Sequence, residues 1–396
     1  MDVSLNESQA LLRDSVDRFI RDDYAFDARR RAAAGADGFS HAHWRRFAEL
    51  GWLALPFAED DGGVGAGPVE TMILMEAFGR GLVLEPYLAT IVLAGGFLRH
   101  GGSAVQKARW LPGLMAGEVL GAFAHIEPQA GFNPADVATT AWPDGRGFVL
   151  SGAKNIVLNG PAADILVVPA RTGGHRRDPQ GISLFLVATD APGIRRHACR
   201  TVDGFHAADI AFDHVRLEPD ALIGPRDDAL PLIEAVVAEA TAAICAEALG
   251  AMDALNRATL DYARTRTQFG RPIGSFQVLQ HRMVDMLVEY EQAKSLLLAA
   301  TLALAEDRAD TLRMVSALKA RIGRAARFIG QQAIQLHGAM GMTDDLPVGH
   351  YVKRLTVIEA LFGDTDWHID RFAAIPPRQA WPLLDREETP LRRETA

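Results

Sequence analysis

Two stretches of the chain carry residues whose types and spacing could do chemistry. The first, YARTRTQFGRPIGSFQVLQHRMVDM at Tyr262–Met286, reads as the end of one helix, a turn at Gly270–Gly274 and the start of another. Arg264 and Arg266 fall at the C-terminal end of the first helix, where the dipole favours cations. A second reading fits Arg266: a guanidinium beside Phe269 could grip a pyrophosphate while the ring packs on a nucleotide. The second stretch, QLHGAMGMTDDLPVGHYVKRLTVIEALFGDT at Gln335–Thr365, has Gly338 and Gly341 after a helical run. Those glycines either let a backbone approach a ligand closely or simply cap the helix. Near its end stands a carboxylate, Glu359, three residues before Phe362, where the two would share a helical face. The other reading of Glu359 is an ordinary polar or interface residue.

Many chemistries are excluded. No G-x-G-x-x-G opens a βαβ unit, and there is no phosphate-binding G-x-x-x-x-G-K-[ST] loop, G-x-S-x-G elbow or H-E-x-x-H. The twelve histidines show no metal-ligand spacing, so no metal is expected. A formal net charge of -9 argues against nucleic acid as a partner. Two cysteines, Cys199 and Cys245, cannot form a disulfide framework, and a reducing compartment follows. The N-terminus is acidic from Asp2 with no apolar core, and no run of 18 apolar residues exists. A soluble cytoplasmic protein without membrane insertion is expected.

The periodicity changes twice along the 396 residues. Residues 1–118 read as helices, opening on a capping box at Ser4–Glu7, with Leu11, Leu12, Val16, Phe19 and Ile20 at helical spacing. Residues 119–222 hold short β-branched runs such as DILVVPAR and GISLFLVAT, punctuated by Asp144-Gly145 and Asn159-Gly160, as in a small barrel or sandwich. Residues 223–396 turn helical again, with no proline between Pro231 and Pro272 or between Pro272 and Pro347. Long, broadly apolar helices there point to a bundle that also buries a subunit interface. The fold class is α+β: an N-terminal helical domain, a middle β-barrel or sandwich and a C-terminal helical bundle.

Together, these elements resemble the acyl-CoA dehydrogenase family over the whole chain. The family pattern R-x-x-F-G-x-x-[IL] followed by Q stands as Arg266, Phe269-Gly270, Ile273 and Gln277, and Q-x-x-G-G-x-G stands as Gln335 to Gly341. LEPYLAT, EPQA, FQVLQHRM and RLTVIEALFGD are similar to the small subunits of heteromeric bacterial members such as pimeloyl-CoA dehydrogenase. The resemblance implies a C-terminal four-helix bundle, FAD, an acyl-CoA substrate and reoxidation by an electron-transfer flavoprotein, as in the β-oxidation of lipids. It implies a carboxylate that removes the α-proton while the β-hydride passes to the flavin. Cofactor-binding roles fall on Arg266, Gln268, Phe269, Gln277, Gln335 and Gly338, which in the family reach the FAD of a neighbouring subunit.

The chain departs from the pattern where the reaction would occur. The usual catalytic glutamate falls on Phe362, and the position used by a second subgroup falls on Ala240. The flavin-lining loop appears as Ile126–Asn133, with Ile126 and Phe132 in place of hydroxyls, and the later strand as Ile156–Gly160. Flavin polar atoms left without partners there would weaken binding. Of the remaining carboxylates, Glu239 is turned about 100° from Ala240, Glu127 belongs to a turn, and Glu359 is the candidate base. The leading expectation is a small subunit of a heterotetrameric acyl-CoA dehydrogenase whose homologous partner supplies the base. A self-oligomer with an unusual base and a non-catalytic acyl-CoA-binding scaffold are the alternatives.

Overall fold

The computed structural model describes residues 5–145 and 147–376. The N-terminal region is helical: α1 (Glu7–Asp23), α2 (Phe26–Ala34), α3 (His41–Glu49), α4 (Pro68–Gly81), α5 (Gly96–Gly101) and α6 (Ala104–Met115). A wide π-type segment, Leu88–Gly95, leads into α5. The start of α1 differs from the expected capping box. Asn6 is the N-cap, accepting from Gln9 N while Gln9 Oε1 accepts from Asn6 N, and Ser4 lies outside the described residues. Either pairing satisfies two orphan donors, and Asn caps as well as Ser. Leu11 is exposed at 64%, while Val16 and Phe19 enter an aromatic core in which Phe47 stacks on Phe78.

The middle region is one eight-stranded sheet in the order β6-β7-β3-β2-β4-β5-β8, with β1 beside β4. Its strands are β1 (Gly121–Phe123), β2 (Thr140–Asp144), β3 (Gly147–Leu158), β4 (Ile165–Arg171), β5 (Ile182–Ala188), β6 (Ile194–Arg200), β7 (His206–Leu217) and β8 (Leu222–Ile223). Strands β4 and β5 are buried nearly throughout, one face on a small core of their own and the other on the helices. That two-sided burial is why their sequences are near-continuous apolar runs.

Helices α7 (Leu230–Thr265), α8 (Gln277–Ala305), α9 (Thr311–His337), α10 (Pro347–Ala360) and α11 (Thr365–Ala374) form the C-terminal bundle. A hairpin of β9 (Thr267–Gln268) and β10 (Arg271–Pro272) joins α7 to α8. The expected third region also includes residues 377–396, which lie outside the described residues. Glycines let α7 and α4 touch backbone to backbone: a Cβ on Gly79 would stand 1.9 Å from the Glu247 carbonyl, and one on Gly250 1.8 Å from that of Glu76.

A buried ionic cluster ties the three regions together. Arg354 on α10 donates through Nε and Nη2 to both oxygens of Glu247 on α7 (2.5 and 2.8 Å) and through Nη1 to Asp203, in the β6–β7 loop (2.8 Å). Arg29 on α2 reaches the Asp203 and Leu82 carbonyls, both at 2.9 Å. The Arg354 guanidinium also lies over the Phe205 ring. Removing the cation would strand two buried carboxylates, which costs far more than the net worth of the pair. Arg354→Leu is expected to lower unfolding stability by about 3–5 kcal/mol in urea titrations at pH 7.

Candidate active site

Between the β sheet and the C-terminal bundle lies a cavity of 240 Å³. Three segments wall it: His125–Val137 from the middle region, the first turns of α7 with Ile233, Glu234 and Val237, and the α10–α11 junction with Phe362 and Trp367. Ile156 closes it from β3.

Phe362 sits in this wall, held by the turn between α10 and α11. Its φ is +60°, left-handed for a bulky residue. Two buried side chains pin the turn. Lys319 Nζ, from α9, donates to the Glu359 and Gly363 carbonyls (2.9 and 2.6 Å), and His368 Nε2–H donates to the Phe362 carbonyl (3.0 Å). Burial pushes the His368 imidazole down to about 3, so it is neutral at pH 7. His125 stacks between Phe123, at a centroid distance of 4.5 Å, and Phe362, at 6.0 Å. Burial pushes it down to about 4, and its buried Nδ1 has no hydrogen-bond partner among the described residues.

Glu359 does not share the face of Phe362, as the helical spacing had suggested. Helix α10 ends at Ala360, so i, i+3 geometry does not extend to Phe362. The Glu359 carboxylate turns to the start of α11 instead, where Oε1 accepts from Thr365 N (3.0 Å) and Thr365 Oγ1 (2.6 Å). It fits there only because Gly323 on α9 has no side chain, since a Cβ would stand 2.0 Å from Oε2. The other carboxylates are committed too. Glu239 pairs with Arg99 and His100, on the side of α7 away from the cavity. Glu127 accepts from Lys154 Nζ at 2.6 Å, and although burial pushes its carboxyl up, the ammonium holds it below the usual range. Ala240 is fully buried.

The expected cofactor-binding residues gather elsewhere. Tyr262, near the end of α7, stacks on His337 at the end of α9 (4.4 Å), which sets the Arg266–Phe269 hairpin beside Gln335 and Gly338. Phe269 and Gly270 both have positive φ (+53° and +77°), the backbone of a tight hairpin turn, and the Phe269 ring is 91% exposed. Arg266, Gln268, Gln277 and Gln335 are exposed and make no side-chain hydrogen bond among the described residues. Gly338 (φ +61°) has open space where a Cβ would be. Val237, at the cavity, and Arg266 stand 29 residues apart, about 40 Å along the helix.

The chain matches the N-terminal, middle and C-terminal domains of acyl-CoA dehydrogenase over residues 6–118, 122–217 and 230–375. A curated relative, acyl-CoA dehydrogenase FadE12 of Mycobacterium tuberculosis, is 32% identical over 312 residues, 77% of this chain and 80% of its own length. The chain belongs to the acyl-CoA dehydrogenase family. Another relative, probable acyl-CoA dehydrogenase YngJ of Bacillus subtilis, is 29% identical over 91% of this chain and 95% of its own. Among solved structures, the ChsE4-ChsE5 complex of Mycobacterium tuberculosis superposes with TM-score 0.86 at 26% identity, covering 95% of this chain and 100% of that one. The FAD complex of PigA gives 0.88 at 26%, covering 94% and 98%. The chain is thus an oxidoreductase of the acyl-CoA dehydrogenase class, and FAD is the cofactor.

The residues fit that cofactor unevenly. The open shelf of Arg266, Gln268, Gln335 and Gly338 offers a cation, two amides and free backbone to a pyrophosphate and its nucleotide. The cavity wall offers no hydroxyl among its described residues, and Asp136, Glu234 and Arg371 are already paired. Sequence reasoning missed His125, Glu234, Trp367 and Arg371. His125 was readable, standing one residue before the loop already singled out; the others come together only through tertiary packing.

The neutral imidazoles give the site a pH dependence. His368 is depressed in the folded state, so below its unfolded value of about 6.5 the unfolded chain binds more protons. Its contribution to stability is complete above about pH 6.5 and is lost as pH falls toward 3. From pH 7 to 5 the loss is about 2 kcal/mol. His368→Gln, whose amide can still donate to the Phe362 carbonyl, should show a correspondingly smaller fall in urea-unfolding stability across that interval.

Proposed function

We propose that this chain is the subunit of a heteromeric acyl-CoA dehydrogenase that lacks the base, working in an α2β2-like assembly with a homologous partner. The observation that carries the reading is Phe362 in the cavity wall where the usual carboxylate would stand, and the separation along α7 makes the flavin site a multi-chain one. The nucleotide-binding shelf lies about 40 Å from the chain's own cavity, farther than one dinucleotide reaches, so the shelf serves a flavin seated mainly in another chain. In the cavity itself, the position of the usual carboxylate holds Phe362, and Glu359 is committed to α11.

When bound, FAD accepts the β-hydride of the thioester. This chain would grip the pyrophosphate through Arg266, stack Phe269 on the nucleotide and hydrogen-bond through Gln268, Gln277 and Gln335. The partner would hold the carboxylate that removes the α-proton, and an electron-transfer flavoprotein would reoxidise the flavin. ChsE4-ChsE5, a complex by its own description, supports two-chain assembly for a fold of this shape. The self-sufficient homomer loses its candidate base with Glu359, and nothing in the site favours a scaffold without flavin.

The test is purification of the full chain alone and with a co-expressed homologous large subunit, followed by sizing, flavin spectra and anaerobic addition of acyl-CoA. FAD is expected only at low occupancy in the isolated chain, with stoichiometric FAD and bleaching in the complex. Full FAD occupancy with thioester-dependent bleaching of the isolated chain would overturn the reading. Arg266→Gln should lower FAD affinity of the complex about 10-fold or more while leaving assembly unchanged.

A further inference from the structure

A second cavity, of 290 Å³, lies on the side of α7 that faces the N-terminal helices, and none of its lining residues borders the cavity at Phe362. Its walls are the start of α4, the π-wound segment before α5, the stretch of α7 from Glu239 to Ala243 and the last turn of α8. Space remains because small side chains stand where these elements meet: Ala242 and Ala243 on α7, Ala305 on α8 and Gly67 before α4. Folded interiors seldom keep a void larger than a water molecule, because unfilled volume costs stability. The π-wound segment also singles the place out. It sends Ile91 and Val92 into this cavity, while its Leu88 and Ala89 line a separate pocket of only 50 Å³. Such wide winding is rare and concentrates at functional sites.

The interior holds no charge. Its polar side chains are two threonines whose hydroxyls already donate, Thr71 Oγ1 to the Gly67 carbonyl and Thr301 Oγ1 to Met72 Sδ, both at 3.4 Å. The rim is different. Arg99 donates to Glu239 and, through Nη1, to the Pro56 carbonyl (3.1 Å), and His100 Nε2 lies 2.8 Å from Glu239 Oε1. Arg99 and Glu239 are each 22% exposed and His100 is 38% exposed, so water reaches this rim. The guanidinium and the carboxylate cancel each other. An arriving carboxylate would meet Glu239 and an arriving ammonium would meet Arg99, and separating the pair would strand a half-buried charge. A hydroxyl or carbonyl can join the hydrogen bonds of either partner without breaking the pair.

We infer that this cavity is a second ligand site for a neutral amphiphile, whose apolar body fills the chamber and whose uncharged hydroxyl or carbonyl head rests on the Arg99–Glu239 rim. The volume is sufficient, since an apolar cavity of about 150 Å³ holds benzene. The site shares no residue with the flavin shelf or with the cavity at Phe362, so it goes beyond the two-chain reading and does not depend on it.

The experiment titrates straight-chain alcohols, from 1-butanol to 1-dodecanol, calorimetrically into the full chain at pH 8, with octanoate and octylammonium as charged counterparts of 1-octanol. Affinity should rise about 4-fold for each added methylene and level off once the chamber is full, at one alcohol per chain. 1-Octanol should bind about 10-fold or more tightly than either charged counterpart. Ala243→Leu fills the chamber from α7, and Ala305→Phe fills it from the exposed last residue of α8. Each should weaken 1-octanol binding about 10-fold or more, with urea unfolding showing a folded chain. Should Ala243→Leu overpack and fail to fold, Ala305→Phe decides the point. Octanoate or octylammonium binding as tightly as 1-octanol would overturn the neutral head. Affinity that still rises at 1-dodecanol, or that survives Ala305→Phe, would put the alcohol on the surface and overturn the site, as would the absence of binding by any alcohol. None of these results alters the flavin spectra on which the two-chain reading is judged.

Discussion

Because α7 runs 36 residues without a proline past its first turn, its two ends are held about 50 Å apart, and the chemistry of the chain is divided between them. Its first turns, with Ile233, Glu234 and Val237, wall the cavity; its last turn delivers the Arg266 hairpin. Bending could bring the ends together, but nothing along the helix permits a kink, since Gly250 is spent on close contact with α4 and the interior residues from Ala240 to Met252 are buried on nearly every side. A flavin contacted by both ends therefore has to be contacted by two molecules. The Arg354 cluster acts on the same geometry from another direction, because it joins α7 to α10 and to the β6–β7 loop, and so fixes the sheet relative to the bundle that faces it.

Three residues of the candidate site share an uncommon backbone. Ile156, Phe269 and Phe362 all have φ between +49° and +60°, a region that β-branched and bulky side chains enter at a cost of about 1–3 kcal/mol each. Each conformation is over-determined by its surroundings. Ile156 lies within a register shift in the β3–β7 ladder, between Lys154 and Val157, and donates its N–H to Asp209 Oδ1. Phe269 is the first residue of a two-residue hairpin turn, and Phe362 is clamped by Lys319 and His368. Strain of this kind aims a side chain where regular structure would not. In two of the three positions the aimed group faces the cavity, and in the third it faces solvent at the shelf.

What was legible in the sequence follows from which physics is local. The α–β–α order was readable because hydrophobic period is a property of consecutive residues. A turn between α7 and α8 and the Gln335–Gly341 helix end were readable for the same reason, since glycines after a helical run are short-range signals, but the β9–β10 pairing within that turn was not read. Glu359 was misread through a helix boundary. It stands three positions before Phe362, but α10 stops between them, and a boundary moved by two residues turns a shared face into opposite directions. The cap of α1 was displaced on a similar scale, from Ser4 to Asn6. Arg176, Arg177 and Asp136 carried no signal at all, since 40 residues of chain separate partners that only the sheet brings together.

Phe362 in the cavity wall and the exposed hairpin at Arg266–Phe269 are best understood together. A carboxylate in an apolar cavity is held at a desolvation cost that only catalysis justifies, and here an aromatic ring, Phe362, stands at that position and stacks on His125, which stacks in turn on Phe123. The shelf has little such compensation: the Phe269 ring is 91% exposed at a hairpin tip, with only an edge contact to Phe276, beside arginine and glutamine side chains that make no side-chain hydrogen bond among the described residues. Stability alone would have filled the cavity and buried or replaced the ring. The chain has an apolar ring at Phe362, yet keeps the Phe269 ring exposed at the hairpin tip.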